Sequence, residues 1–261
     1  MLKHRLIPVL LLKDGQLVRS EGFATHQIIG DPYHEVARFN EWNVDEIIYL
    51  DISRGDRYDL GRSDTRSAEM GDPLDILAEV SRTCFMPLCW GGRLRTLDDI
   101  RSVISRGADK VALCTAAHAT PGLITAAAEA FGAQAVVVCL DVKGGTVWVE
   151  GATVDTGRDP VAFARDVVAR GAGEILLQAV ERDGAGEGYD TELIAAVSAA
   201  VPVPVIALGG VGRYEHYARG IGAGAAAVAA ANIWHFKELS DRGGKRALAG
   251  AGVAVRGFGK G

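Results

Sequence analysis

The chain has little of what marks several protein classes. Only four cysteines occur among its 261 residues, and Cys84, Cys89, Cys114 and Cys139 lack the paired spacing that a tetrahedral metal site needs. Three of them fall in expected strands, so they read as reduced packing thiols, and neither a metal nor another cofactor is expected. Basic charge is not in excess: 28 Lys and Arg face 33 Asp and Glu, for a net charge of −5. No basic stripe is left to neutralise phosphates, which argues against a nucleic-acid partner. Apolar runs of membrane-spanning length are missing, as is a small-residue cleavage site after the opening MLKHRLIPVL. A cytoplasmic protein with no membrane partner is therefore expected. Pro/Ser linkers and low-complexity runs are absent too. With 48% hydrophobic residues, residues 1–261 are expected to form one domain around one large core.

What the chain does have is a long internal repeat. RLIPVLLLKDG (5–15) aligns with AVVVCLDVKGG (135–145), so that Lys13 lies over Lys143, Gly15 over Gly145 and Leu11 over Asp141. VDEIIYLDI from Val44 matches AGEILLQAV from Ala172, Gly91-Gly92 matches Gly209-Gly210, and GADKVALCT from Gly107 matches GAAAVAAAN from Gly224. A period near 130 residues is too long for a solenoid and points to a duplicated half-domain. Each half alternates short, continuously apolar strands such as IIYL and PVIAL with amphipathic stretches such as LDDIRSVISRGA and DPVAFARDVVARGA, closed by glycine at the helix C-terminus. Four such units per half predict a (β/α)₈ TIM barrel, an α/β fold, built from half-barrels of about 1–130 and 131–250. The alternation alone also fits a doubly wound open sheet; the duplication favours the barrel.

In such a barrel, binding groups gather at the C-terminal ends of the strands. Gly209 and Gly210 end the seventh expected strand, and Asn232 ends the eighth, where it is expected to cap the helix of NIWHFKEL. The repeat supplies a second set, Gly91 and Gly92 after the third strand and Thr115 in the place of Asn232 after the fourth. Two phosphate cradles on one mouth predict a phosphorylated small-molecule ligand with a phosphate at each end. The loop 53–72 after the second strand is unusually long for a βα connection and lies on the same rim. It reads as a lid, a partner-binding loop or an ordered insertion.

Taken together, RLIPVLLLKDG, DEIIYLDI, RGADKV, ITAAAEAFGAQAVVV, RGAGEILL, ERDG, GYDTELI and the His235-Phe236 pair resemble the cyclase subunit of imidazole glycerol phosphate synthase along essentially the whole chain. The resemblance implies a barrel that receives ammonia from a glutaminase subunit docked on its N-terminal face and passes it through the core to the opposite mouth. It also implies that Arg5, Glu46, Lys110 and Glu174, at the starts of four strands, form the charged gate on the floor. Asp141 is the implied catalytic acid or base, and Asp183 and Gly184 join the ligand-binding set.

The chain departs from the family at the mouth. Leu11 stands where the family carries its second catalytic aspartate, and general acid–base assistance is worth ~10²–10⁴-fold. Arg19 replaces a lysine, Arg93 a glycine, Cys114 an asparagine, Leu208 a serine and Ala185 a threonine. Arg93 is expected to bind a phosphate or carboxylate, and the two leucines are expected to raise the pKa of Asp141 by desolvation. PVLLLKDG, DISRG and FMPLCWGG look like a branch of the family that supports amidation of surface-glycan sugars beside a glutaminase, with an ATP-using amidotransferase as a further partner. That branch is the leading expectation from sequence. The orthodox cyclase of histidine biosynthesis is the alternative, and a non-catalytic ammonia-conducting scaffold the second alternative.

Overall fold

The computed structural model describes residues 3–42, 44–54, 58, 72–236 and 240–257. Its strands are β1 (Arg5–Lys13), β2 (Gln16–Glu21), β3 (Thr25–Gly30), β4 (Ile47–Asp51), β5 (Leu88–Gly91), β6 (Lys110–Leu113), β7 (Val136–Lys143), β8 (Thr146–Val149), β9 (Val154–Arg158), β10 (Glu174–Ala179), β11 (Val205–Leu208) and β12 (Ala227–Ala230). The helices are α1 (Pro32–Glu41), α2 (Pro73–Thr83), α3 (Leu97–Ser105), α4 (Thr115–Ala119), α5 (Gly122–Phe131), α6 (Pro160–Ala169), α7 (Thr191–Ala200), α8 (Glu215–Gly222), α9 (Ile233–Phe236) and α10 (Ser240–Gly250).

Eight strands pair in parallel in the order β1-β4-β5-β6-β7-β10-β11-β12, and β12 returns to β1 through Arg5 opposite Ala227. The sheet therefore closes, and the expected (β/α)₈ barrel is the observed one. Alternation along each strand divides the apolar residues into two cores. Leu6, Leu10, Tyr49 and Trp90 face the surrounding helices, while Ile7, Val9, Ile48, Cys89 and Leu176 fill the lumen. Helix starts are locally encoded: Asp31, Asp72 and Asp159 each precede a proline and accept a hydrogen bond from a first-turn N–H. Glycines 107, 132 and 171 follow α3, α5 and α6 with positive φ, as the sequence led us to expect.

The remaining four strands extend the barrel upward. β1 runs antiparallel into β2 and β3, and its repeat partner β7 runs into β8 and β9 in the same way. The turns are Asp14-Gly15 (φ 50° and 76°) and Gly144-Gly145 (φ 57° and 82°), two-residue connections with both φ positive. This geometry matches the right-handed twist of the flanking strands and favours Gly and Asp. Two of the cysteines lie outside strands: Cys84 follows α2 and Cys114 precedes α4, whereas Cys89 and Cys139 sit in β5 and β7. No helix among the described residues is long and apolar enough to cross a membrane.

Candidate functional site

The floor of the barrel is a closed ring of four charges. Arg5 opens β1, Glu46 immediately precedes β4, Lys110 opens β6 and Glu174 opens β10, and inward-facing register brings all four together. Arg5 donates to Glu46 and, at 2.7 Å, to Oε1 of Glu174. Lys110 Nζ donates to Glu46 at 3.0 Å and to Glu174 at 2.8 Å. Each cation thus spans both carboxylates, and each carboxylate both cations. Burial works against the Lys110 ammonium, but Glu46 and Glu174 outweigh it and hold its pKa above the ordinary lysine value. Beside the ring, Asp45 accepts from Leu6 N and from the fully buried Lys245, which ties α10 to the floor.

Above the ring the lumen is lined by uncharged side chains, Ile7, Ile48, Cys89, Cys139 and Ala229 among them. At its upper end Leu11, Leu50, Cys114 and Ala231 surround the opening with Leu208. Asp141, in β7, reaches the same level and is 8% exposed. Burial pushes its pKa up to about 6; a hydrogen bond from Cys114 Sγ at 3.5 Å opposes the shift and the charge of Asp183 adds to it. The expected desolvation effect is therefore present. Leu11 packs against the lumen cluster, so the end of β1 supplies no carboxyl to match Asp141.

The expected ligand-binding residues form separate groups around this opening. Asp183 Oδ2 accepts from the Ser20 hydroxyl at 2.7 Å and from Phe23 N at 3.3 Å, and its carbonyl accepts from Gly22 N. A Cβ on Gly184 would lie 2.8 Å from Glu21, so this pair clamps the β2–β3 turn. Asn232 does not cap α9 with its side chain. Its amide nitrogen donates to Ser20 O at 2.9 Å, and its Oδ1 is buried without a partner among the described residues. The repeat-related Thr115 does the equivalent in the other half, accepting from Glu150 N at 3.1 Å in the turn between β8 and β9. Ser20 and Glu150 occupy matching repeat positions, so each half-barrel latches the extension hairpin of the other.

Gly91, Gly92, Gly209 and Gly210 lie at the ends of β5 and β11. The bare backbone has a packing cause at all four: a Cβ would lie 2.8 Å from Ala112 Cβ at Gly91, 2.0 Å from Asp51 O at Gly92, 2.8 Å from Ala179 O at Gly209 and 2.2 Å from Gly188 O at Gly210. Arg93 adopts a left-handed φ of 61°. Its guanidinium lies 3.9 Å from Asp51 and 5.8 Å from the Tyr58 ring centroid. It therefore lines a cavity of about 610 Å³ between β5, α2 and α3, walled also by Leu74, Trp90 and Ser102, which Asp141 does not border. Apart from Ser53, Arg54, Tyr58 and Asp72, the loop 53–72 lies outside the described residues. Among the described residues no cluster of His, Cys, Asp or Glu is arranged to hold a metal.

Sequence reasoning missed Ser20, Gln178 and Tyr58. Ser20 is buried under Asp183 and Asn232; Gln178 is buried in register with Asp141; Tyr58 donates to Asp51 at 3.0 Å. Arg19, marked only as a departure, stacks over Phe236 and bonds Gln27, so its charge is directed along the hairpin.

Comparison with known proteins agrees with this architecture. A model of the family described as "Histidine biosynthesis protein" matches residues 5–240. The imidazole glycerol phosphate synthase subunit HisF of Caulobacter vibrioides is 44% identical over 264 residues, covering 98% of this chain and 97% of that protein. Subunits of the same name from Gluconacetobacter diazotrophicus and Endomicrobium trichonymphae are 40% and 38% identical over 98% of the chain. The floor, the lumen and the mouth thus sit on a framework shared end to end, and the chain belongs to the HisF family of histidine-biosynthesis proteins.

Proposed function

We propose that this chain is the ammonia-using subunit of an imidazole glycerol phosphate synthase, working with a HisH-like glutaminase on its N-terminal face. One observation carries the reading: a saturated ring of four charges opens onto an uncharged lumen that ends at the buried acid Asp141. A neutral ammonia molecule crosses such a lumen without the desolvation cost that an ammonium ion would meet. At the mouth, Asp141 titrates near neutrality and so both takes up and returns a proton. The glycine-rich ends of β5 and β11 flank it on either side and offer backbone donors to the two phosphates of the substrate.

Turnover of the phosphoribulosyl intermediate with free ammonium tests this reading. Asp141→Asn is expected to lower kcat by ~10²–10⁴-fold. Lys110→Ala is expected to spare ammonium-dependent turnover while reducing turnover driven by glutamine through the partner.

Leu11 favours a second reading, in which the barrel delivers ammonia to surface-glycan sugar amidation by an ATP-using amidotransferase. In its extreme form the barrel conducts ammonia and forms no bond itself. Lack of turnover by the parent chain with ammonium, together with intact stimulation of the glutaminase, would replace the first reading by this one. A glutamine-driven output unchanged by Asp141→Asn would select the scaffold form.

A further inference from the structure

β6 ends at Leu113, and the next residue, Cys114, stands at the start of α4 with φ −114° and ψ −85°. A side chain at that position ordinarily turns back to cap the first N–H groups of the helix. The Cys114 side chain makes no such bond. It faces the lumen instead, packed against the inner apolar cluster, with Sγ 3.5 Å from Asp141 Oδ2. Burial, reinforced by the neighbouring carboxylate, holds the thiol in its protonated form, so S–H donates and the carboxylate oxygen accepts. Among the described residues Asp141 Oδ1 has no hydrogen-bond partner.

The other groups around Asp141 do not substitute for this contact. Cys139 lies two residues earlier on the same face of β7 and is itself held protonated by burial. Asp183 acts on Asp141 through space, while its own Oδ2 is engaged by Ser20 and Phe23. Gln178 is the in-register neighbour on β10 and carries no charge. Leu11, Leu50 and Leu208 complete the rim without a polar atom.

We infer that Cys114 is a positioning residue for Asp141: its S–H fixes Oδ2 and leaves Oδ1 as the oxygen that exchanges a proton with the reacting molecule. This inference rests on the proposed proton-transfer role of Asp141 for its kinetic consequence and on geometry for the rest. The thiol keeps its own proton throughout; one proton moves from the reacting molecule to Oδ1 and back. A thiol is a weaker donor than a hydroxyl, so it orients the carboxyl while depressing its pKa little. The residue type thereby keeps the acid near neutrality in a mouth where the end of β1 supplies no carboxyl.

The test is infrared titration of the Asp141 carboxyl, identified as the signal lost in Asp141→Asn, in the intact chain and in Cys114→Ala and Cys114→Ser. The midpoint is expected to rise by a few tenths of a unit in Cys114→Ala and to fall clearly below the parent in Cys114→Ser, where a stronger donor faces Oδ2. In parallel, the S–H stretching band that disappears in Cys114→Ser is expected to shift as Asp141 titrates. Coincident midpoints in all three proteins, or an S–H band indifferent to Asp141, would overturn the inference. Should Cys114→Ala fail to fold, the parent, the Ser variant and the band still decide. Where turnover with ammonium is measurable, its acid limb is expected to move in the same order. An inactive parent showing the ordered midpoints would count against the proposed reaction and leave the positioning contact standing.

Discussion

The floor and the mouth of this barrel treat buried charge in opposite ways. At the floor four ionised side chains meet, and each finds two partners of opposite sign. At the mouth Asp141 is buried to a similar degree, receives one weak bond from a thiol, and has its pKa raised to about 6. Burial taxes both sites; pairing offsets it at only one. The floor is therefore arranged to stay charged and fixed in place, while the mouth holds a group whose charge can change near neutral pH. A structural lock and a proton-transfer group need those two conditions respectively. The difference also predicts that removing a charge destabilises one end and stabilises the other.

The largest effect is expected at the floor. Glu46 is the most buried member of the ring, with 2% of its side chain exposed, and it bridges Arg5 and Lys110. Glu46→Ala leaves two cations on one carboxylate. The expected cost is about 3 kcal/mol, or a melting temperature lower by roughly 6–12 °C, with part regained in the Glu46→Ala/Lys110→Ala double variant. A thermal melt unchanged by Glu46→Ala would show that the ring is decorative and remove one side of the comparison.

At the mouth the sign reverses. The Asp141 carboxyl has a higher pKa folded than unfolded, so the native chain retains this proton longer than the denatured chain. The group costs nothing below about pH 4, where both states are protonated. The cost grows as pH rises and is complete above about 6. Asp141→Asn is therefore expected to stabilise the protein by about 2–3 kcal/mol at pH 8, with the gain shrinking to nothing near pH 4. Denaturant midpoints at the two pH values measure it. A variant destabilised at pH 8 would mean that Asp141 is paired after all.

The barrel and its duplicated plan were legible in the sequence because strand burial and helix punctuation are local signals, read within a few residues. The four floor charges were legible as strand-start residues, but their meeting depends on barrel closure, which brings Arg5 beside Glu174 across 169 positions. The extension hairpins carry a readable sign, the Asp14-Gly15 and Gly144-Gly145 turns between apolar runs. The mouth was least legible. Asn232 was expected to cap its own helix and instead reaches Ser20, a partner 212 residues away. Arg93 was read only as a group for a ligand, and its neighbour Asp51, at 3.9 Å, lies 42 residues away in sequence. Polar side chains with long reach choose their partners in three dimensions, and pattern reasoning along the chain cannot supply those.

Leu11→Asp sharpens the comparison by giving the end of β1 a carboxyl in the place that repeats Asp141. If the ends of β1 and β7 face each other as the repeat implies, the new charge makes ionisation of Asp141 harder. Its midpoint is expected to rise above the present value of about 6 by about one unit, read from the carboxyl infrared band. Turnover with ammonium is expected to increase by at least about tenfold. An unmoved midpoint would mean that the two strand ends do not communicate.

The smallest effect is expected at Arg93, a rim cation set beside a buried carboxylate. If pairing governed the rim as it does the floor, losing Arg93 would be costly. Asp51, however, already accepts from Ser53 N at 3.0 Å and from Tyr58 Oη at 3.0 Å, and the guanidinium stands farther off at 3.9 Å. Burial raises the Asp51 pKa, and Arg93 is the weakest of the influences opposing that rise. Against this modest contact stands a left-handed backbone, φ 61°, that costs a non-glycine residue about 1 kcal/mol. Arg93→Gly removes both together, so the two terms nearly cancel. A melting temperature within about 2 °C of the parent is expected, a net change below about 1 kcal/mol. A fall of 6 °C or more would place Arg93 among the required charges, and the division between a paired floor and an unpaired mouth would then have to be redrawn around Asp51.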